Sequence, residues 1–319
     1  MTTSAEAAAS GRGRAARRRV DGIVLLDKPE GLTSNQALQR VRHALAAAKA
    51  GHAGTLDPMA TGMLPLCFGQ ATKTCGIILG SRKAYRARLR LGAATDTGDA
   101  QGAVVSRAEV PALDAGTVAG LLAGLEGASS QIPPMVSALK HEGERLYELA
   151  RRGESVPRAA RHIELYRVEL VGLEGRDIEF DVECSKGTYV RVLAEDVAAR
   201  LGTVGHLAAL RRLWVAPFDS EPMVTLEEIG AWRDAGGAGH GSPAWLRPVD
   251  SALAGLARVD LGSADSASIR HGRTIPSDGG LLAGTTVCAY DADGGLLGLL
   301  EVAPDRRLRV VRLLADTAQ

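Results

Sequence analysis

The stretch GHAGTLDPMATG, residues 51–62, contains one acidic side chain, Asp57, among glycines, threonines, a proline and small apolar residues. The glycines and the proline predict a loop, because these residue types interrupt helices and strands. A carboxylate in such a loop often accepts backbone N–H bonds in an Asx turn or a helix cap, and this structural role is one interpretation of Asp57. The other interpretation is a carboxylate that takes part in chemistry.

Several kinds of carboxylate chemistry do not suit Asp57. A phosphate-accepting or dehalogenase-type aspartate is expected to have a second Asp two residues later, where this chain has Met59. A metal site needs more carboxylates or histidines close by, and glycosidase chemistry needs a partner acid, which is not apparent locally. The remaining chemical role is a lone nucleophile or base, kept ionised by an arginine that is distant in sequence.

The chain before this stretch has the pattern of a strand followed by a helix. GIVLLD, residues 22–27, predicts a short buried strand. Thr33 or Ser34 is suited to cap the helix that follows. The apolar residues at helical spacing are Ala37, Leu38, Val41 and Leu45.

The chain after the stretch contains SRKAYRARLRLG, residues 81–92, in which apolar and basic residues alternate with a period of two. The apolar set is Tyr85, Ala87, Leu89 and Leu91, and the basic set is Arg86, Arg88 and Arg90. This alternation predicts a strand with an apolar face and a guanidinium face. The basic face is either solvated or a phosphate-binding surface, since arginine pairs bidentately with phosphate.

Two later segments carry candidate functional residues. Residues 131–161 have more Lys, Arg and His than acids, with a Pro-Pro break and Gly143, and they predict a basic protrusion. Such a protrusion suits a polyanion, although a solvated loop and helix has the same pattern. Residues 176–201 predict a strand, a turn, a second strand and a helix. If residues 188–192 are extended, Tyr189 and Arg191 project from the same face.

The 319 residues are enough for two domains, and their formal net charge of +1 favours no class of partner. Residues 1–20 contain five arginines and one acid, which predicts a disordered basic tail. Residues 233–246 contain a Gly- and Ala-rich stretch that predicts a linker. Residues 247–319 have short alternating runs that predict a small β-rich module, with DADGG at a hairpin turn.

Several functional classes are not expected for this chain. It has no apolar segment of signal-peptide or membrane-spanning length, so we expect a cytoplasmic protein with no membrane role. Its four cysteines form no C-x-x-C pair or zinc-like cluster with histidine. Glycine-rich nucleotide-binding motifs are also missing. We therefore expect chemistry by side chains alone, with no cofactor and no metal.

The segments KPEGLTSNQALQRVR and AGHAGTLDPMATGMLPLCFGQATK strongly resemble the bacterial tRNA pseudouridine synthase B family. The resemblance continues through AYRARLRLGAATDTGDAQG, QIPPMVSALKHEGERLYELARRG, CSKGTYVRVLAEDV and LAALRRLWV, and covers roughly residues 20–220. It implies an α+β catalytic domain over residues 21–232, with a mixed, largely antiparallel sheet and flanking helices. A small β-barrel RNA-binding module of the PUA type is then expected over residues 247–319.

The resemblance also implies a reaction. The family converts uridine to pseudouridine at position 55 in the T-arm loop of tRNA, after extruding the base from the folded loop. The base leaves C1′ of the ribose, rotates and rejoins through C5. No redox change or group donor is needed for this isomerisation.

The roles of the central residues follow from the family pattern. Asp57 would be a nucleophile at C1′ or at C6 of the uracil, or the base in a glycal-type elimination. Arg191 would keep Asp57 charged and oriented, since a guanidinium does not titrate at working pH. Tyr85 would stack on the flipped base, and Tyr189 would orient the base or help to remove the C5 proton.

Four further residues match the family pattern. His52 would contact the RNA near the flipped nucleotide, and Leu210 would contact the target base through its backbone. Lys28 would be largely structural, with a phosphate contact as a second role. Asp99 would be a structural acid that bonds to backbone or to an arginine.

The basic segments also fit a second hypothesis, a tRNA-binding or refolding protein in which catalysis is secondary. A third hypothesis keeps the catalytic fold but assigns it another RNA target. The breadth of the matched motifs favours the T-arm of tRNA as the partner. We expect a monomer, because one catalytic cleft per chain is sufficient.

Overall fold

The computed structural model describes residues 17–137, 139–239, 241–277 and 280–314. The strands are β1 (Gly22–Lys28), β2 (Ala50–His52), β3 (Thr61–Phe68), β4 (Lys83–Leu91), β5 (Ala93–Thr95), β6 (Val104–Arg107), β7 (Gly127–Gln131), β8 (Lys140–His141), β9 (Glu144–Arg145), β10 (Arg161–Glu174), β11 (Asp177–Cys184), β12 (Gly205–Val215), β13 (Leu246–Arg247), β14 (Ala257–Asp260), β15 (Ile275–Pro276), β16 (Thr286–Tyr290), β17 (Leu296–Val302) and β18 (Arg307–Leu313). The α-helices are α1 (Ser34–Ala44), α2 (Cys75–Gly80), α3 (Ala115–Ala123), α4 (Leu146–Arg151), α5 (Val190–Arg200), α6 (Leu226–Asp234) and α7 (Ser263–Arg270). Short 3-10 helices cover Gly69–Lys73, Gly237–Gly239 and Val249–Leu253. None of the described helices is both long and apolar enough to cross a membrane.

One large mixed sheet organises the first two thirds of the chain. Its order is β13-β1-β3-β12-β4-β11-β10-β7, and β2 also pairs with β3. The β3–β12 pair is parallel, and the other pairs in this sheet are antiparallel. The predicted mixed, largely antiparallel sheet with flanking helices is therefore confirmed.

Strand β1 shows how the two faces of the sheet are covered. Val24 and Leu26 belong to a core formed with the helices α1, α3, α5 and α6. Ile23 and Leu25 point to the opposite face, into a second core that includes Cys288 and Leu299 of the C-terminal module. Because both faces are buried, the strand has an almost continuous apolar sequence instead of an alternating one.

Helix α1 begins as the sequence indicates. Thr33 is the N-cap: its hydroxyl accepts from the Gln36 N–H, and the Gln36 side chain accepts from the Thr33 N–H. This reciprocal capping box stabilises the first turn. Ser34, the alternative cap, is instead the first helical residue, and its hydroxyl bonds elsewhere.

Strand β4 has the predicted apolar and basic faces, but its basic face is largely neutralised. Arg86 forms a bidentate pair with Asp181 at 2.8 and 2.9 Å. Arg90 forms a similar pair with Asp177 at 2.8 and 2.6 Å. Both acids lie on the neighbouring strand β11, so a solvated, ion-paired face explains the arginines better than a phosphate-binding surface does.

The C-terminal module is a curled five-stranded sheet in the order β14-β16-β17-β18-β15. The predicted hairpin turn joins β16 to β17, where Asp291 accepts from the Gly295 N–H at 2.7 Å. The strands enclose a separate small core that includes Ile269, Val287 and Leu300. This half-barrel agrees with the PUA-like module predicted from the sequence.

Two predicted boundaries need correction. Residues 1–16 of the expected basic tail lie outside the described residues, but Arg18 pairs with Ala47, so ordered structure begins before residue 21. The expected linker, residues 233–246, is not an extended connector throughout. Trp245 packs edge-on against Trp232, with ring centroids 5.4 Å apart, and Leu246 pairs with β1. Aromatic contacts and an edge of the main sheet therefore hold the end of this segment in place.

Candidate active site

The loop that carries Asp57 connects β2 to β3 and is fixed at the start of α1. The Ser34 hydroxyl accepts from the Leu56 N–H at 2.8 Å and donates to the Leu56 carbonyl at 3.0 Å. The backbone then turns, with the Ala60 N–H donating to the Asp57 carbonyl at 3.0 Å. A glycine- and proline-rich stretch is thus held on both sides of its carboxylate.

Lys28 stabilises this loop by hydrogen bonds to backbone carbonyls. Its ammonium group donates to the carbonyls of Pro29, Leu32 and Pro58, at 2.9, 2.7 and 3.3 Å. The residue is completely buried, and burial lowers the pKa of its ammonium to about 8, against the opposing charge of Asp57. Because three backbone carbonyls surround the buried ammonium, the geometry favours the structural role of Lys28, and the phosphate contact stays a prediction.

Arg191 joins the loop that carries Asp57 to two other segments. Its Nε lies 3.2 Å from Oδ2 of Asp57, while its two Nη atoms donate to the carbonyls of Thr97, at 2.8 Å, and Val136, at 2.7 Å. Asp99 lies 3.8 Å from Nη1. The Arg191 side chain is only 5% exposed, so these contacts fix the guanidinium rigidly beside Asp57.

Arg191 reaches this position from a helix and not from a strand. Residues 188–192 are not extended as expected: α5 begins at Val190, and Tyr189 is its N-cap. The side chain of Gln131 accepts from the Tyr189 N–H at 2.9 Å and donates to the Tyr189 carbonyl at 3.4 Å, and the Leu193 N–H donates to the same carbonyl at 3.1 Å as the first helical bond. The helix buries the side chains of Val190 and Arg191 with those of its later turns, so the predicted helix at Leu193 begins three residues earlier than expected.

The carboxyl group of Asp57 is partly exposed, at 38%. Burial raises its pKa, while the charge of Arg191, and more weakly that of Lys28, opposes this shift. Within the described part of the chain, neither carboxylate oxygen accepts a backbone N–H, so the Asx-turn and helix-cap interpretations are wrong. Oδ2 is paired with Arg191 at 3.2 Å.

Asp57 opens into a cleft of about 280 Å³. The cleft is lined by Gly54, Thr55, Leu56, Asp57, Leu79, Lys83, Tyr85, Ser137, Ser185, Gly187, Thr188, Tyr189, Val190, Arg191, Leu210 and Arg212. Five of the predicted site residues thus line one cavity, including both tyrosines. Burial raises the pKa of each phenol, so both side chains are neutral at physiological pH.

His52 is not among the residues that line this cleft. It lies at the end of β2, paired with Leu66, and its Nδ1 is buried without a hydrogen-bond partner among the described residues. Burial, and then the charges of Arg212 and Arg145, lower the pKa of the imidazole. A neutral imidazole is therefore expected beside the cleft, on the side of the basic segment that includes Arg145.

Sequence reasoning missed Arg212, which is 1% exposed and lines the cleft. It donates to the Met63 carbonyl at 2.6 Å and to the Gly54 carbonyl at 3.0 Å, and so ties β12 to the catalytic loop. The available signal was the adjacent pair Arg211 and Arg212, because consecutive residues of a strand point to opposite faces. In the structure Arg211 takes the outward position and pairs with Asp27 on β1.

Comparison with known proteins agrees with this architecture. The model of the TruB family pseudouridylate synthase N-terminal domain matches residues 42–190. The model of the tRNA pseudouridylate synthase B C-terminal domain matches residues 191–254. Among solved structures, the crystal structure of a Cbf5-Nop10-Gar1 complex shares the fold, with a TM-score of 0.70 at 24% identity, over 92% of this chain and 85% of that chain. Fold and matched domains together define the class of pseudouridine synthases.

Similar proteins of known name define the relationship more closely. The tRNA pseudouridine synthase B of Chromohalobacter salexigens is 45% identical, over 94% of this chain and all of that protein. Those of Aromatoleum aromaticum and Yersinia pestis are 46% and 41% identical, each over 97% of this chain and over 98% and 97% of those proteins. The chain belongs to the tRNA pseudouridine synthase B family.

Proposed function

We propose that this protein converts uridine to pseudouridine at position 55 in the T-arm loop of tRNA. Membership of the family supports the isomerisation of uridine in tRNA. The observation that carries the proposal for this chain is the pairing of Asp57 with a buried, fully engaged Arg191 at the edge of a cleft. The loop target in the T-arm, a cytoplasmic location and a monomeric state complete the proposal.

Asp57 is the proposed reacting group. Its Oδ2 is paired with Arg191 at 3.2 Å, and the residue lines the cleft, so the carboxylate is held in place beside a bound base. Both nucleophilic routes and the elimination route need such an ionised, positioned oxygen, because each begins with donation of an electron pair by the carboxylate. The guanidinium keeps its positive charge throughout, and it therefore stabilises the ionised carboxylate against desolvation.

The two tyrosines are the proposed contacts to the base. Tyr85 is 8% exposed at the floor of the cleft, between β11 and β12, and offers an aromatic face on which a flipped uracil stacks. A stacking contact tolerates the rotation that brings C5 to the sugar. Tyr189 lies at the start of α5, next to Arg191, where its phenol can orient the base or take part in removing the C5 proton.

The remaining site residues have supporting roles in this proposal. Leu210 lies on β12 opposite Ala87 of β4 and offers backbone groups at the cleft wall. His52 lies outside the cleft on the side of the basic segment, where an RNA strand next to the flipped nucleotide would pass. The C-terminal module, residues 247–319, is proposed to bind a second part of the RNA.

The decisive experiment replaces Asp57 with Asn and measures tritium release from tRNA transcripts labelled at C5 of uridine. Release is expected to be lost while RNA affinity is kept. Asp181→Asn is the matched control, since it removes another carboxylate paired with an arginine, on the exposed face of the sheet. A transcript with cytidine at position 55 tests the target, because its remaining labelled uridines should release no tritium. Unchanged release by Asp57→Asn would contradict the proposal.

A refolding role in which catalysis is secondary is not favoured. The similar proteins are named as synthases, and the ion-paired face of β4 offers little uncompensated charge for non-specific binding. The geometry at Asp57 also has no explanation in a protein that only binds RNA, because a carboxylate directed into the cleft repels phosphates.

A further inference from the structure

A second, smaller pocket of about 130 Å³ lies within residues 131–161, the basic segment of the sequence analysis. Prolines and leucines form part of its lining, together with the imidazole of His141 and three cationic side chains: Lys140, Arg158 and Arg161. No acidic residue is among those that line it. This pocket is separate from the cleft that contains Asp57.

The charges around this pocket are not compensated. None of its three cationic side chains forms an ion pair with another described residue. Arg158 donates from Nη1 to the Pro133 carbonyl at 2.9 Å, and its Nε is buried without a hydrogen-bond partner. A buried donor with no acceptor is costly unless a ligand or a water satisfies it. The pocket therefore suits an anion.

Several other arginines of the protein are neutralised by acids. Arg152, in the same basic segment, is bound by Glu144 at 2.7 Å and by Glu154 at 2.6 Å. Arg86 and Arg90 on β4 are paired with acids of β11. Compared with these paired arginines, the pocket presents its cations free, and arginine binds phosphate oxygens well.

The pocket adjoins the catalytic cleft. Arg161 is the first residue of β10 and pairs with Gln131, whose side chain holds the backbone of Tyr189. Burial raises the pKa of the Tyr189 phenol, and the charge of Arg161 is among those that oppose this shift, so the two side chains are close. A nucleotide strand that leaves the cleft past Tyr189 would pass this pocket next.

We propose that the pocket binds one backbone phosphate of the RNA strand beside the nucleotide that occupies the cleft. The inference rests on the proposed function, because it takes the RNA strand in the cleft as given. Its role would be to fix the register of the strand, so that the target base and not its neighbour reaches Asp57.

Arg161→Gln tests this proposal, with Arg152→Gln as the control that removes the same charge from the same segment. Both side chains are exposed, so neither change disturbs the core. RNA affinity is measured at several salt concentrations in an Asp57→Asn background, which prevents turnover. For Arg161→Gln we expect affinity to fall about tenfold and the slope of log affinity against log salt to decrease by about 1. The control should leave the slope unchanged.

A second measurement identifies the phosphate. Single neutral methylphosphonate linkages are placed in turn around the target uridine. One linkage should weaken binding by the wild-type pocket and have no further effect on Arg161→Gln. Equal slopes for the two arginine variants, or additive effects at every linkage, would overturn the proposal. Competition by inorganic phosphate without any linkage effect would also overturn it, and would indicate a site for a free anion.

These outcomes are independent of catalysis. If the wild-type protein shows the linkage effect but releases no tritium, the proposed function fails and the phosphate pocket stands. If tritium is released and the linkage effect is missing, the pocket proposal fails and the proposed function stands.

Discussion

Replacing Arg191 with Lys keeps one positive charge beside Asp57 but removes the planar guanidinium that orients the Asp57 carboxylate. The guanidinium makes three directed contacts, to Asp57 and to the carbonyls of Thr97 and Val136. A lysine ammonium is a single point on a flexible stem and cannot reach all three acceptors together. The variant therefore separates the effect of charge from the effect of orientation.

The magnitude follows from these contacts. If two charge-assisted hydrogen bonds are lost, at about 1.5–3 kcal/mol each, the free energy of unfolding falls by about 3 to 6 kcal/mol. For the chemical step we count only the contact to Asp57 and take about 2 kcal/mol, near the lower end of that range, because this carboxylate is 38% exposed. That loss slows the reaction about 30-fold.

Single-turnover tritium release measures the chemical step, and urea unfolding measures stability. Arg86→Lys is the control: it alters a bidentate pair with Asp181 on the exposed face, where we expect a loss below about 1 kcal/mol and a normal rate. RNA affinity should stay near the wild-type value in both variants. A wild-type rate with unchanged stability for Arg191→Lys would refute the orienting role assigned to the guanidinium.

Three further outcomes are expected. Burial lowers the pKa of Lys28 to about 8, so between about pH 8 and 10 the unfolded chain binds more protons than the folded protein. The free energy of unfolding of the wild type should therefore rise over that range relative to Lys28→Met. An equal difference between the two proteins in urea unfolding at pH 7 and at pH 9.5 would contradict this. Gly62→Ala should cost more than about 3 kcal/mol, because φ is +93° and the new Cβ would overlap the Arg212 carbonyl. Gly143→Ala, at φ +94° with open space around it, should cost only about 1 kcal/mol, as thermal unfolding of the pair can show. Tyr85→Leu should keep tRNA affinity within about tenfold but slow tritium release, and an unchanged rate would exclude stacking on Tyr85 as part of the reaction.

The elements that the sequence predicted well have local causes. The apolar and basic alternation of β4 requires only that one face be buried, and Tyr85 and Arg86 accordingly point to opposite sides. The N-cap at Thr33 depends on a side chain three residues away. Asp57 could be identified as a candidate for a lone nucleophile or base, because the loop around it contains no second acid.

The elements that the sequence did not predict depend on distant residues. Arg191 is oriented by carbonyls that are 94 and 55 positions away in the chain, and no local pattern encodes those contacts. The N-cap Tyr189, where the helix begins instead of the expected strand, is held by Gln131 from 58 positions away. The burial of Lys28 could not be predicted for a similar reason, because the carbonyl of Pro58, 30 positions away, contributes to the site of its ammonium.

The second core joins the catalytic sheet to the C-terminal module through Leu25 and Phe218 on one side and Cys288 and Leu299 on the other. Separating the two parts would expose this apolar seam to water, so burial of the seam opposes their separation. This shared core sets the distance between the cleft and the C-terminal module. If the C-terminal module binds a second part of the RNA, as proposed, the RNA must present two contact points at the spacing that this seam sets. The three-dimensional shape of the RNA would then be selected together with its nucleotide identity.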